Sequence, residues 1–208
     1  MISLRASDLT LDEVHKLLRL EERAGESFES LLTLEPITET ERHDLELIRI
    51  NFKRYLSAGR ALEGVVRFLA IAPLLQLSGF YSPPITLKVE ENIAPINLEG
   101  EETKITGRFD LVATKNLEND IEFWLLVIET KEGFAAPRIG LPQVLTYGYT
   151  SLERQPSVLG LATNGESYRF VHLQAGNPST YSLLPELNLT DSDRAIQLLQ
   201  VLKAVVKS

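Results

Sequence analysis

The sequence predicts an α/β protein in which helices come first and a mixed β-sheet flanked by helices follows. Up to about Leu77, apolar residues recur at the three- and four-residue spacing of amphipathic helices. After Gly79 the spacing changes, and short apolar or alternating segments of strand length are separated by turn residues. The chain has 208 residues, of which 44% are hydrophobic and 24% are charged, which is typical of one domain with a sizeable core.

Three helices are expected before the sheet. Residues 10–13 and 38–41 each form a capping box, in which a threonine and a glutamate three residues later bond free backbone N–H groups at a helix start. The first box opens a helix that Gly25 breaks or ends. A third helix is expected from about residue 60 to residue 77, and Pro73 should kink or restart it.

The elements of the sheet follow after Gly79. Strands are expected at residues 85–90, 105–113, 123–130, 158–163 and 168–173. A hairpin loop over residues 116–120 joins the second and third of these, and Asn164-Gly165 predicts a tight hairpin between the last two. Pro137 suits the first turn of a helix that runs to about residue 152, and a final helix is capped near Asp191.

The composition limits the classes of function. With no cysteine, the chain has neither disulfides nor thiolate metal sites, and a reducing compartment is compatible. The N-terminus carries no apolar segment of signal-peptide length, and the longest apolar stretch, residues 68–77, is too short to span a membrane. We therefore expect a soluble cytoplasmic protein with no membrane partner. The net charge of −8 counts against nucleic-acid binding, although residues 42–67 carry six basic and three acidic side chains, as either a solvated or a phosphate-contacting helix face would.

Three charged residues stand where a buried strand should carry none. The segment 122–131 is almost continuously apolar, as in a strand covered on both faces, and it ends in Glu129 and Lys131, which lie two apart and share a face. Asp110 lies on the preceding strand-like stretch. A charge at the end of a core strand is costly unless it is paired, solvated or bound to a metal. The simpler alternatives are a surface ion pair between Glu129 and Lys131 and a turn-capping role for Asp110.

Five short motifs follow one another in the chain. They are a helix over residues 61–80, Gly-Arg-Phe-Asp at 107–110, Glu-Thr-Lys at 129–131, a Q-x-x-x-Y helix at 141–147 and a Thr-Asn-Gly turn at 163–165. In this order they resemble the PD-(D/E)XK nucleases, and in particular the nuclease domain at the N-terminus of type I restriction enzyme R subunits. The resemblance implies a restriction endonuclease-like domain over residues 60–208, with an N-terminal helical extension over residues 1–59 as part of one unit.

The resemblance also implies a chemistry, the hydrolysis of DNA phosphodiester bonds with Mg²⁺, for which Mn²⁺ could substitute. A divalent ion neutralises phosphate charge and generates hydroxide near neutral pH, and Mg²⁺ prefers carboxylate oxygens. Lys131 would orient or deprotonate the attacking water or stabilise the developing charge. The implied catalytic residues are Asp110, Glu129, Lys131, Gln143 and Tyr147. The implied metal ligands are Glu63, Asp110, Glu129 and, through its carbonyl, Thr130.

Alternatives stand beside several of these roles. Glu63 fits an exposed ion-pair stripe with Arg60 and Arg67 as well as it fits a metal site. Tyr147 fits a core aromatic residue. Arg67 and Arg138 are expected to be solvated charges rather than phosphate contacts.

The chain carries no G-x-x-x-x-G-K-[ST] motif, so the ATP-driven motor of R subunits is not implied. We expect a stand-alone restriction-type nuclease module that binds DNA, with RNA as another substrate class and with partner subunits or a second copy as further partners. The alternative is a catalytically inactive nucleic-acid- or protein-binding module of the same fold.

Overall fold

A large mixed sheet flanked by helices forms the centre of the computed structural model, which describes residues 2–98, 102–116 and 122–208. The helices are α1 (Leu11–Leu18), α2 (Phe28–Leu31), α3 (Glu39–Ser57), α4 (Glu63–Val66), α5 (Ala72–Ser78), α6 (Leu141–Ser151) and α7 (Ser192–Lys207), with 3-10 turns at Ala6–Asp8 and Pro137–Gly140 and a π turn at Arg67–Ile71. The strands are β1 (Ile2–Arg5), β2 (Leu20–Arg23), β3 (Ile85–Val89), β4 (Ile96–Asn97), β5 (Thr103–Thr106), β6 (Leu111–Asn116), β7 (Glu122–Thr130), β8 (Ser157–Thr163), β9 (Ser167–Gln174), β10 (Ser179–Leu183) and β11 (Leu187–Asn188). The predicted mixed α/β class agrees with this architecture.

The large sheet has the order β2-β10-β9-β8-β7-β6-β3, with β11 beside β9, and a smaller sheet has the order β1-β5-β4. In the large sheet, β7 runs parallel to β8 and β2 runs parallel to β10, whereas the other described pairs are antiparallel. The large sheet is therefore mixed, as the sequence predicts.

Two hydrophobic cores lie on opposite faces of the large sheet, and β7 contributes to both. Leu126 and Ile128 belong to the core formed with α3, α5 and α7, whereas Val127 belongs to the core formed with α1 and α6. β7 is thus covered on both faces, which explains its almost continuously apolar sequence. The charged residues therefore lie at the end of a strand whose last six residues are buried.

The stretch 105–113, expected as one strand, is two strands in different sheets, so that prediction was wrong. β5 ends at Thr106, β6 begins at Leu111, and the chain turns between them. The backbone of this turn bonds to another loop instead of a sheet strand: Ile93 donates to the Gly107 carbonyl, and Phe109 donates to the Glu91 carbonyl. Alternating apolar residues on both sides of the turn hide this break in the sequence.

The N-terminal segment 1–59 is not only helical, and that part of the prediction needs correction. It contains β1, which pairs with β5, and β2, which pairs with β10. Both predicted capping boxes form, but the first helix ends at Leu18 rather than at Gly25, because Arg19 adopts a left-handed conformation with φ of 48°. Through these strands the segment shares sheets with residues 60–208.

The third predicted helix begins at Glu63 and is interrupted where the sequence places a proline. Pro73 has no N–H group and clashes with the carbonyl four residues earlier, so a regular α-helix cannot pass through it. The π turn relieves this conflict: Ala72 donates to the Arg67 carbonyl, and Pro73 lies in the first turn of α5. Of the predicted kink or restart, the structure therefore shows a π turn within a continuous run of helical turns.

The remaining predicted elements agree with the structure where it describes them. The Asn164-Gly165 turn joins the antiparallel strands β8 and β9, with Gly165 at φ of 84°, and Asp191 caps α7. The predicted hairpin loop over residues 116–120 falls, after Asn116, outside the described residues. Within the described ranges, every helix is either too short or too polar to cross a membrane.

Candidate active site

The carboxyl group of Asp110 lies at the start of β6, beside the end of β7. Leu111 pairs with Ile128 in antiparallel register, which brings Asp110 opposite Glu129. Asp110 Oδ2 accepts hydrogen bonds from the Thr130 backbone N–H (2.7 Å) and from the Thr130 hydroxyl (2.6 Å). The predicted antiparallel pairing of the two strands is confirmed, and it joins the G-x-x-D and E-x-K motifs.

A chain of hydrogen bonds joins the E-x-K motif to α6. Lys131 Nζ donates to Glu129 Oε1 (2.8 Å) and to Gln143 Oε1 (2.6 Å). Gln143 Nε2 in turn donates to the Tyr147 hydroxyl (3.3 Å). Gln143 and Tyr147 share one face of α6 because they lie four residues apart. The structure thus brings together four of the five predicted catalytic residues, and Asp110 lies on the adjacent strand end.

Two glycines let α6 and the sheet come this close. A Cβ atom at Gly140 would lie 3.3 Å from Glu129 Cγ, which is tighter than ordinary packing contacts. A Cβ atom at Gly107 would lie 2.6 Å from Tyr147 Cε1, which is too close for any side chain. Gly107 of the G-x-x-D motif therefore leaves room for the tyrosine of the Q-x-x-x-Y motif.

Glu129 carries an electrostatic cost in this position. It is 3% exposed, and its buried Oε2 atom has no hydrogen-bond partner among the described residues. Burial and then the negative charge of Asp110 raise the pKa of Glu129 to about 7, and the Lys131 ammonium offsets only part of this rise. A buried acceptor without a partner is costly, so the site favours a proton or a cation at this oxygen.

Tyr147 remains protonated over the neutral range. Burial is the main reason that its pKa rises to about 12, and the hydrogen bond from Gln143 offsets only part of the effect. Its hydroxyl is therefore a neutral donor and acceptor beside Gln143. The alternative interpretation, in which Tyr147 is a core aromatic residue, also applies in part, since the residue is 1% exposed.

Arg67 contacts four groups of the site, which is more than the sequence predicted for it. Its Nη2 donates to Asp110 Oδ1 (2.7 Å) and to Glu63, its Nη1 donates to Glu90 Oε1 (2.8 Å), and its Nε donates to the Thr130 hydroxyl (2.8 Å). Burial alone would lower the Arg67 pKa, but the charges of these carboxylates outweigh it and raise the pKa. The expectation of a solvated charge was wrong, because the contacts come from elements distant in sequence.

Glu63 reaches the site through Arg67. Their ion pair spans four residues along the helix, as the ion-pair alternative predicts, and the same guanidinium also binds Asp110. Thr130 contacts Asp110 through its N–H and hydroxyl, and the role of its carbonyl as a metal ligand stays a prediction. Within residues 2–98, 102–116 and 122–208, no group of three or more His, Cys, Asp or Glu side chains is arranged to hold a metal ion.

Two functional candidates were missed in the sequence. Glu90 follows β3, has φ of 53°, and binds Arg67. Its position directly after a strand, like that of Asp110 before one, was the available signal. Asn164, noted only as part of a motif, donates from Nδ2 to the carbonyls of Gly133 (3.2 Å) and Ala135 (2.9 Å), so it holds the loop that follows Lys131.

A cavity of about 710 Å³ lies elsewhere, at the start of β7 rather than at its end. Glu122, Trp124 and Tyr149 are among its lining residues, and none of the predicted site residues lines it. This cavity is therefore separate from the candidate active site.

The comparisons with known proteins add no family to this geometry. No protein-family model matches the chain, and no curated protein matches it. The functional conclusion consequently depends on the arrangement of the side chains.

Proposed function

We propose that this protein is a metal-dependent nuclease of the PD-(D/E)XK type that hydrolyses DNA phosphodiester bonds. The observation that carries the proposal is the convergence of Asp110, Glu129 and Lys131 at adjacent strand ends, with Gln143 of α6 bonded to the lysine. A large mixed sheet flanked by helices is compatible with a restriction endonuclease-like fold. The resemblance to type I R subunits adds the expectation of a role in restriction.

The donor set fits a magnesium ion. The unpartnered, buried Glu129 Oε2 and the neighbouring Asp110 carboxylate are hard oxygen donors, and Mg²⁺ is usually held by one or two carboxylates together with water and substrate phosphate. Two protein carboxylates are therefore sufficient ligands for the proposed site. Asp110 and Glu129 would hold the ion, with the Thr130 carbonyl as a further ligand. A bound Mg²⁺ supplies charge neutralisation and an activated water.

The contacts of Lys131 support a role for it at the reacting groups. Its ammonium group has three N–H donors, and Glu129 and Gln143 take two of them. The third is available to a water molecule or to a phosphate oxygen. Gln143 fixes the direction of the ammonium group, and the protonated Tyr147 supports Gln143. Lys131 would thus orient the nucleophile and stabilise negative charge that develops on the phosphate.

A specific observation favours the second candidate, a catalytically inactive binding module of the same fold. Asp110 already accepts hydrogen bonds at both oxygens, from Thr130 at Oδ2 and from the Arg67 guanidinium at Oδ1. A carboxylate neutralised by arginine has less need of a metal ion. The net charge of −8 also favours a role other than strong binding to nucleic acid.

A cleavage assay tests the proposal. Supercoiled plasmid and an RNA of similar length are incubated with the protein and Mg²⁺, Mn²⁺ or a chelator. We expect metal-dependent nicking of the plasmid, and we expect Lys131→Ala to lower the rate on the order of a hundred- to ten-thousand-fold with little change in DNA affinity. Lys88→Ala is the matched control, because Lys88 also forms an ion pair at a strand of the sheet, with Glu122 (2.6 Å).

Two outcomes would argue against the proposal. A folded Lys131→Ala protein that nicks plasmid at the wild-type rate would refute the role of the lysine. DNA binding without cleavage in any metal would favour the inactive module, and cleavage of RNA alone would change the substrate class.

A further inference from the structure

We propose that Arg67 is an internal counter-ion that competes with the divalent cation for Asp110 and Glu63 and so sets the metal affinity of the site. The inference rests on the proposed function, since Asp110 is a carboxylate of the proposed metal site. In this inference, Arg67 is neither a solvated surface charge nor only the partner of Glu63 in a helix ion pair.

The first support is the geometry of the guanidinium group. Nη2 lies between two carboxylates, donating to Asp110 Oδ1 (2.7 Å) and to Glu63. Nη1 binds Glu90 and Nε binds the Thr130 hydroxyl, so all three guanidinium nitrogens have partners in the site. A planar cation that bridges several carboxylates does what a divalent ion does at such a place: it neutralises them and fixes their spacing.

The second support is the balance of charge. Among the described residues, three carboxylates contact Arg67, so this cluster has excess negative charge even with Arg67 in place. The carboxylates are Glu63, Glu90 and Asp110, and a second cation, Arg108, lies 3.7 Å from Glu90. Among the described residues, Arg67 is the cation that contacts Asp110, so removal of its charge increases the attraction of Asp110 for a divalent ion.

The third support is that the Arg67 side chain is partly exposed to solvent. It is 30% exposed, and its backbone belongs to a continuous run of helical turns from Glu63 to Ser78. A rotation of the long side chain toward solvent would free Asp110 Oδ1 without moving this backbone. The Thr130 hydrogen bonds would still hold Asp110 Oδ2 in place.

Metal titration without nucleic acid tests the inference. Mn²⁺ and Mg²⁺ binding is measured by calorimetry for the wild type and for Arg67→Met, which keeps most of the apolar stem and removes the charge. We expect the variant to bind on the order of tenfold more tightly, as for a unit charge removed several ångströms from a divalent ion. Arg49→Met is the matched control, because Arg49 is 16% exposed and also pairs with a glutamate of its own helix. We expect it to leave the metal affinity unchanged.

Chemical rescue separates competition from a general change in structure. Free guanidinium at low millimolar concentration, far below denaturing levels, should weaken Mn²⁺ binding to Arg67→Met toward the wild-type value. Sodium chloride at the same ionic strength should not. Arg67→Lys, which keeps the charge and loses the planar fork, provides a second variant if Arg67→Met fails to fold, and its affinity should lie between those of the other two proteins.

The failures of the inference and of the proposed function are distinguishable. If Asp110→Ala abolishes metal binding while Arg67→Met and Arg67→Lys bind no more tightly than the wild type, the inference is overturned and the proposed function stands. Binding by Arg67→Met but not by the wild type would support the inference. Absence of binding in every folded variant would overturn it together with the metal dependence of the proposed function.

Discussion

Replacing Glu129 with glutamine should make the metal-free protein more stable at alkaline pH. The buried Glu129 carboxyl, with its unpartnered Oε2, has a pKa raised from 4.5 to about 7, chiefly by burial. At about 1.4 kcal/mol per pH unit, this rise corresponds to about 3 kcal/mol of unfavourable free energy when the group is ionised. Glutamine has almost the same shape as the protonated carboxyl and never ionises, so it should avoid most of that cost.

The sign of the pH dependence follows from the same values. Below 4.5, Glu129 is protonated in both the folded and the unfolded states and has no effect on their balance. As the pH rises from about 4.5 to about 7, the unfolded chain releases a proton that the folded protein retains, so the stability of the wild type falls. Above about pH 7, Glu129 is ionised in both states, and the folded protein carries the full unfavourable free energy of the buried charge. The Glu129→Gln variant should lack this decline.

Thermal unfolding in the presence of a chelator measures the effect. We expect similar melting temperatures near pH 4.5 and a Glu129→Gln variant more stable by roughly 6–12 °C near pH 8, for a domain of about 200 residues. Glu132→Gln is the control, because Glu132 follows the same strand but is exposed. A Glu129→Gln protein no more stable than the wild type at pH 8 would refute the argument that the site keeps a costly buried charge.

Three further predictions concern positions around the site and between the helices. Gly107→Ala should lower the free energy of unfolding by about 1–3 kcal/mol, because the new Cβ would lie 2.6 Å from the Tyr147 ring; an unchanged urea midpoint would contradict that contact. Burial raises the pKa of Glu41, but its hydrogen bonds, above all the one from Lys203, lower the pKa overall. Glu41→Gln should therefore lower the free energy of unfolding above about pH 4.5, and the loss should shrink as the pH falls below 4.5. If this were wrong, denaturant titrations near pH 7 and pH 3 would show that the variant loses the same free energy of unfolding at both pH values. Asn164→Ala should speed amide hydrogen exchange in residues 132–136, since its amide bonds two carbonyls of that loop, and equal exchange rates would argue against this role.

Local signals in the sequence are sufficient for the parts of the fold that depend on local physics. The capping boxes at Thr10 and Thr38, the change in the helix before Pro73 and the turn at Asn164-Gly165 each involve residues within a few positions of one another. The strand β7 is equally clear because burial on both faces leaves a long apolar run. These features are therefore predictable without knowledge of tertiary contacts.

Long-range pairing is where sequence reasoning fails. The strand β2 reads Leu-Glu-Glu-Arg, with three of its four residues exposed, so it has neither alternation nor apolar character and only its pairing with β10 makes it a strand. Arg67 could have pointed to solvent as well as to the site, and its four partners come from the helix itself and from three segments distant in sequence. Asp110 and Glu129 could be predicted because a charge beside a buried strand is unusual, whereas an arginine on a helix is not.

The pairing of β2 with β10 has a consequence for how the chain is made. Leu20 pairs with Ser179, so this edge of the sheet cannot form until the residues between them have been synthesised and have left the ribosome. At roughly 5–20 residues per second, the delay is on the order of ten seconds or more. An unpaired strand is a template for wrong partners during such a delay, and charged side chains weaken that tendency. The three charged residues that make β2 hard to recognise in the sequence are thus suited to keeping the nascent chain from aggregating.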